Sequence, residues 1–414
     1  MASPFLFLRL LTRDGRLLFT TRLVRLFAYG FLSVVLALYL SEIGLKTAQI
    51  GLLFTLTLIG DAVITLWITT SADRVGRKTM LILGAGLMLL AGLVFAFTGN
   101  VVLLIAAGII GVISPSGNEI GPFLSIEQAA LSQIVPDNQR TRIFAWYGLV
   151  GSFATALGAL CGGVLAQMLR SSGLAPLESY RVVIIGYALL GILLLLLFGR
   201  LSACVEIEPG TCRTNVPLFM GLHRSRGVVL KLSSLFAIDA FAGGFVVQSL
   251  VAYWFHVRFG AEPGVLGAIF FGANLLAGIS ALSAARIAAK IGLIKTMVGT
   301  HLPSNVLLIL VPLMPNLPLA IIVLLVRFSI SQMDVPTRQS YTMAVVCPDE
   351  RSAAAGVTAI ARSIGAAVSP SLAGVLIGAS LISVPFFLAG GLKIVYDLML
   401  YSSFRATKPP EEMV

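Results

Sequence analysis

The chain has 414 residues, of which 57% are hydrophobic and only 11% charged, against about 25% charged in soluble domains. That composition excludes a soluble globular protein. A net charge of +11 would suit a nucleic-acid binder, but the basic residues are distributed by loop, which is how a membrane protein sets its topology.

Twelve apolar spans are predicted, beginning near residues 24, 48, 79, 101, 143, 181, 229, 264, 293, 317, 353 and 381. Each is about 20 residues or longer, enough for a helix to cross a hydrocarbon core about 30 Å thick. Of the 29 Lys and Arg, only Lys46, Arg170, Arg181 and Arg258 fall in loops after odd-numbered spans, and Arg327, Arg362 and Lys393 fall inside spans. The others lie at the termini and in the opposite loops, which places both termini in the cytoplasm. The basic segment before span 1 reads as the start of an uncleaved first helix, because a second span follows at once.

Ionisable groups inside spans cost about 2.5–3.5 kcal/mol each, so each needs a partner or a function. On span 1, Arg25, Tyr29 and Ser33 share a face. On span 2, Asp61 lies one turn from both Thr57 and Thr65, a stripe suited to a wet cavity and to a carboxylate that carries protons. Asp73-Arg74-Val75-Gly76-Arg77-Lys78 is a charged tight turn that must lie outside the hydrocarbon. Span 4 is interrupted by Pro115, Gly117, Gly121 and Pro122 around Asn118-Glu119, and Glu119 is a second proton site or part of a gate. Span 5 carries Gly158-Ala159-Leu160-Cys161-Gly162-Gly163.

Residues 200–228 form the largest polar interruption and divide a six-span domain, 1–199, from another, 229–414. In the second half, Asp239 and Gln248 mark span 7, Asn274 span 8, and His301 with Asn305 span 9. Arg327, Ser331 and Asp334 share a face of span 10; Thr358, Arg362 and Ser369 share one of span 11. Lys393 and Asp397 stand i, i+4 on span 12 and are expected to pair with each other. Ile50-Gly51, Gly76, Pro136-Asp137 and Gly158–Gly163 recur as Leu266-Gly267, Gly292, Pro348-Asp349 and Ser369–Gly374 at nearly constant offset, so the halves are duplicates.

Cys161 is in span 5, and Cys204, Cys212 and Cys347 fall in cytoplasmic loops, where disulfides are disfavoured. No phosphate-cradling Gly-x-x-x-x-Gly-Lys-Ser/Thr, no spaced zinc-ligand pair and no nucleophile beside a base occurs. Neither an enzyme nor a cofactor is expected.

The Asp73–Lys78 loop, the span-5 glycines and the six-plus-six layout together resemble the major facilitator superfamily over essentially the whole chain. Thr69 stands where that family's loop has Gly, and Ala159 where the span-5 motif of its drug/proton antiporters has Pro. The resemblance implies an all-α membrane protein of twelve transmembrane helices in two pseudo-symmetric six-helix bundles, working by alternating access. It also implies a cytoplasmic gate of Asp73, Arg74, Gly76, Arg77 and Lys78, with Asp73 capping helix 11 and Arg77 reaching Glu127.

The expected proton-coupling residues are Asp61, Glu119 and Asp239. Arg25, Tyr29, Asn118, Gln248, Asn274, Arg327 and Arg362 are expected to touch substrate near the midplane. The buried arginines either select an anion or are neutralised by the acids in a network that rearranges during transport. Proton-coupled export of a small molecule is the first reading, proton-coupled uptake of an organic anion the second. A monomer in the plasma (inner) membrane is expected, with lipid, protons and a small molecule as its partners and no nucleic acid.

Overall fold

The computed structural model describes residues 11–117, 123–135, 137–206, 222, 224–347 and 350–405. Sixteen α-helices lie among the described residues. Ten helical stretches are long and apolar enough to cross a membrane, and an eleventh if α1 (Arg13–Ser33) and α2 (Leu36–Glu42), bent by 42°, count as one. Helix satisfies every backbone group within the segment, which hydrocarbon demands.

The expected fourth span is the exception. It appears as α5 (Val101–Ile110), capped by Asn100, and α6 (Phe123–Ile134). Gly111 ends α5 in an extended conformation, and the Pro- and Gly-rich stretch that follows cannot continue the ladder. Helix α1 also starts earlier than the apolar run, at a cap where the Thr12 hydroxyl accepts from Gly15 N, so that Arg22 and Arg25 both lie on it.

The chain forms two compact units. The first is Met1–Leu45, Leu56–Cys212 and Gly260–Phe271; the second is Lys46–Thr55, Arg213–Phe259 and Gly272–Val414. In the first, α1 packs on α7 (Asp137–Ser171), and α4 (Arg77–Phe97) on α8 (Pro176–Gly199). In the second, α9 (Arg226–Gly244) packs on α15 (Arg351–Gly378), and α12 (Leu293–Leu310) on α16 (Val384–Phe404). The same pattern, first span with fifth and third with sixth, thus occurs in each half.

Close approach explains the small residues. A Cβ on Gly158 or Gly162 would sit 2.0 or 2.1 Å from the carbonyl oxygens of Phe27 and Phe31 on α1. In the first unit Gly163 lies against Gly267 of α11 (Pro263–Ile291), and in the second Gly51 of α3 (Thr47–Val75) lies against Gly374 of α15. The duplicated turn glycines behave alike: Gly76 (φ 111°) precedes α4 and Gly292 (φ 91°) precedes α12, a left-handed region that favours Gly.

Candidate functional site

In the first unit the charges centre on Glu127 of α6. Arg25 donates from Nη1 and Nη2 to its two carboxylate oxygens, 2.7 Å each, with both side chains 0% exposed. Thr21 Oγ1 adds a bond of 2.9 Å and the Tyr147 hydroxyl donates to Oε2. The Arg25 guanidinium stands 4.6 Å over the Phe123 ring, and that of Arg22 4.3 Å over Tyr147. A planar guanidinium suits both contacts, the bidentate and the stacked.

Glu127 is thus bonded to Arg25, where Arg77 was the expected partner, and Arg25 is neutralised by an acid, one of the two readings open to the arginines. The reason is register along α6. Arg77 Nη1 meets Gln133 Oε1 at 2.5 Å, six residues past Glu127 and so about 9 Å further along the helix. Tyr29 is fully buried on α1.

The turn at Gly76 clasps a partner that sequence reasoning missed. Glu206 accepts from Arg77 N (2.7 Å) and Lys78 N (3.1 Å), capping α4, while Lys78 Nζ donates to Leu201 O at 2.8 Å. A carboxylate there satisfies orphan N–H groups and meets the positive end of the helix dipole. Glu350 repeats the device beside α9, accepting from Arg224 N and Ser225 N at 2.7 and 2.8 Å. The side chains of Asp73 and Arg74, and the whole of Asn118 and Glu119, lie outside the described residues. Asp61 is half-buried on α3, and the buried hydroxyls of Thr57 and Thr65 have no hydrogen-bond partner among the described residues.

The second unit holds a larger network. Asp239 of α9 accepts from Lys393 Nζ at 2.5 Å and from Arg338 Nη1 at 3.0 Å, and Arg338 also bridges to Asp334 at 3.1 Å. Asp397 accepts from Asn305 Nδ2 at 2.9 Å and lies 2.8 Å from His301 Nδ1. The other nitrogen of His301 lies 3.8 Å from Asp239 Oδ1. Lys393 and Asp397 therefore do not pair as expected. One turn apart on α16, they meet α9 and α12 respectively. Arg338, read from sequence as a loop residue, is buried on α14 (Asp334–Ala344); its i, i+4 spacing from Asp334 was the available signal.

Arg327 of α13 (Leu317–Ser331) and Arg362 of α15 feel Asp239 and Asp334 electrostatically. Neither makes a hydrogen bond or ion pair to a described residue; Arg327 stands 4.9 Å over the Phe328 ring. Arg327 Nε and the hydroxyls of Ser331 and Ser369 are buried without partners among the described residues. Gln248, which opens α10 (Gln248–Phe259), and Asn274 are brought together, the Asn Nδ2 donating to the Gln Oε1 at 3.2 Å.

An all-α chain of many membrane spans, with its charges buried in networks inside each unit, has the form of a solute transporter. The family model of the Major Facilitator Superfamily matches residues 18–326. An uncharacterized membrane protein of Saccharomyces cerevisiae, YJR124C, is 32% identical over 95% of this chain and 94% of its own. A bacterial homologue of the lysosomal transporter Spinster, in an inward-facing and occupied conformation, superposes with a TM-score of 0.72 at 16% identity, covering 98% of each chain. Over a shorter stretch, 34% of each chain, the quinolone resistance protein NorA of Staphylococcus aureus is 25% identical. The chain belongs to the Major Facilitator Superfamily and is a multi-pass membrane transporter.

Proposed function

We propose that this transporter moves a small organic anion together with protons, by alternating access, across the membrane in which it sits with both termini cytoplasmic. The observation that carries the reading is a surplus of donors in the second unit. Arg327 Nε, Ser331 Oγ and Ser369 Oγ are buried without a hydrogen-bond partner among the described residues, and the half-buried Arg362 makes no hydrogen bond or ion pair to a described residue. A buried guanidinium N–H without a partner calls for a carboxylate or phosphate. Arg327, Arg362 and their hydroxyl neighbours would bind it, with Gln248 and Asn274 as polar contacts. This reverses the order of preference drawn from sequence, where proton-coupled export of a small molecule stood first. The partial likeness to NorA is what favours export.

The test is counterflow in proteoliposomes against parallel panels of small carboxylates, phosphate esters and lipophilic cations. Exchange of an anion, reduced about 10- to 100-fold by Arg327→Gln or Arg362→Gln as expected for loss of a charged hydrogen bond, supports the proposal. Exchange confined to cations, or unaffected by both substitutions, overturns it.

A further inference from the structure

Helix α15 carries Pro370 in its interior. Proline has no N–H to give the carbonyl four residues back, and its ring crowds that group, so no ladder bond can run from residue 370 to Ala366 O. Two neighbouring helices close on this turn. A Cβ on Gly244 of α9 would sit 2.1 Å from Ser369 Oγ and 2.5 Å from Ala366 O, and one on Gly51 of α3 would sit 2.3 Å from Pro370 O.

Into the same turn α3 puts one hydroxyl. Thr55 Oγ1 accepts from Ser371 N at 3.0 Å and from Ser371 Oγ at 2.8 Å, and donates to Val368 O at 3.4 Å. Two acceptor positions and one donor are the whole capacity of a hydroxyl, and here all three go to residues on the two sides of Pro370. We propose that Thr55 is a positioning residue: its hydroxyl splints α15 across Pro370 and so fixes where Arg362 stands in the anion site. This rests on the anion reading above.

Arg362 precedes Pro370 by eight residues, about 12 Å along the helix. A bend of about 10° at the proline therefore carries the arginine about 2 Å. Hydrogen bonds to an anion tolerate a few tenths of an ångström, so the angle of α15 decides whether Arg362 holds its ligand. The half of α15 beyond Pro370 is tied to α3: a Cβ on Gly374 would sit 2.4 Å from Thr47 O, and one on Gly378 2.7 Å from Thr47 Oγ1. Thr55 is the last residue of α3 that belongs with the second unit; from Leu56 the helix belongs to the first. A shift of this shared helix during alternating access withdraws the hydroxyl, frees the bend at Pro370 and displaces Arg362. Movement of α3 is thereby coupled to release of the anion.

Three substitutions test this. Thr55→Val keeps the shape and removes the hydroxyl, Thr55→Ser keeps the hydroxyl, and Pro370→Ala restores the ladder bond and leaves no bend to splint. In counterflow, Thr55→Val should raise the KM for the exchanged anion about 3- to 10-fold, the worth of one hydrogen bond, and Thr55→Ser should keep it near the original. In a Pro370→Ala background Thr55→Val should leave the KM unchanged. That non-additivity marks a splint, because a hydroxyl that only stabilised the fold would cost the same in either background. A second measurement needs no substrate. Spin labels are placed at Gly299→Cys on α12 and Gly356→Cys on α15, two positions with open space around them, after the four native cysteines are replaced by serine. Thr55→Val should shift or broaden their distance by about 4 Å, the sweep of the same bend at Gly356, and Thr55→Val/Pro370→Ala should not. A distance indifferent to Thr55→Val, or a KM change equal in both backgrounds, overturns the proposal. If anions exchange while the distance stays fixed, the splint falls alone. If the distance shifts as expected while only cations exchange, the link to Arg362 falls with the anion reading.

Discussion

Glu127 takes hydrogen bonds from both Arg25 nitrogens, from Thr21 and from Tyr147, and that saturation decides what its loss does. Removing one member of a fully buried pair leaves the other charge uncompensated, at about 3–5 kcal/mol, whereas replacing both with apolar residues of similar size is near neutral. Arg25→Met alone should therefore lower the thermal midpoint of the purified protein sharply, and Arg25→Met with Glu127→Leu should recover most of it. A double variant no more stable than the single one would mean that the pair contributes more than self-neutralisation. The residues of this pair were legible in the sequence as groups needing partners. Their pairing was not, because a partner on another helix depends on how far along that helix it stands. The same blindness put Lys393 with Asp397, since i, i+4 spacing describes one helix and says nothing of Asp239 or His301 facing it.

At the scale of the element, legibility was better where the signal was backbone chemistry. The break in span 4 followed from Pro115, Gly117, Gly121 and Pro122, and the structure ends α5 just before that stretch. Spans 1, 7 and 10 are also interrupted, at residues 34–35, 245–247 and 332–333. The last two carried polar residues at the break, Gln248 and then Gln332 with Asp334; the first carried none. The glycines of span 5 have a definite mechanical role: Gly158 and Gly162 admit α1, and Gly163 admits α11. Gly158→Val or Gly163→Val must push backbones apart, at about 1–3 kcal/mol for an overpacked contact, whereas Gly148→Ala meets open space and should be neutral. Thermal midpoints of the three variants in one detergent check this; equal midpoints would contradict the contacts.

For the molecule as a whole, each compact unit takes in a piece from the other half of the sequence: Lys46–Thr55 belongs with the second unit and Gly260–Phe271 with the first. Cutting the chain in its central loop therefore gives two fragments, 1–212 and 213–414, neither of which carries a complete unit. Co-expressed, they should copurify and keep transport; expressed singly, each should be degraded. Independent accumulation of either fragment would argue against the borrowed segments. The duplicated positions give this exchange a history. Gly51 corresponds in the repeat to Gly267, and Gly163 to Gly374; the contacts run crosswise, Gly51 to Gly374 and Gly163 to Gly267. On an ancestral half-length chain those would be one glycine meeting another on an identical twin, twice, as a two-fold interface requires. The halves differ in their buried charges, Arg25 with Glu127 in one and Asp239 with Arg338 and Lys393 in the other, while this uncharged crossing is the same in both.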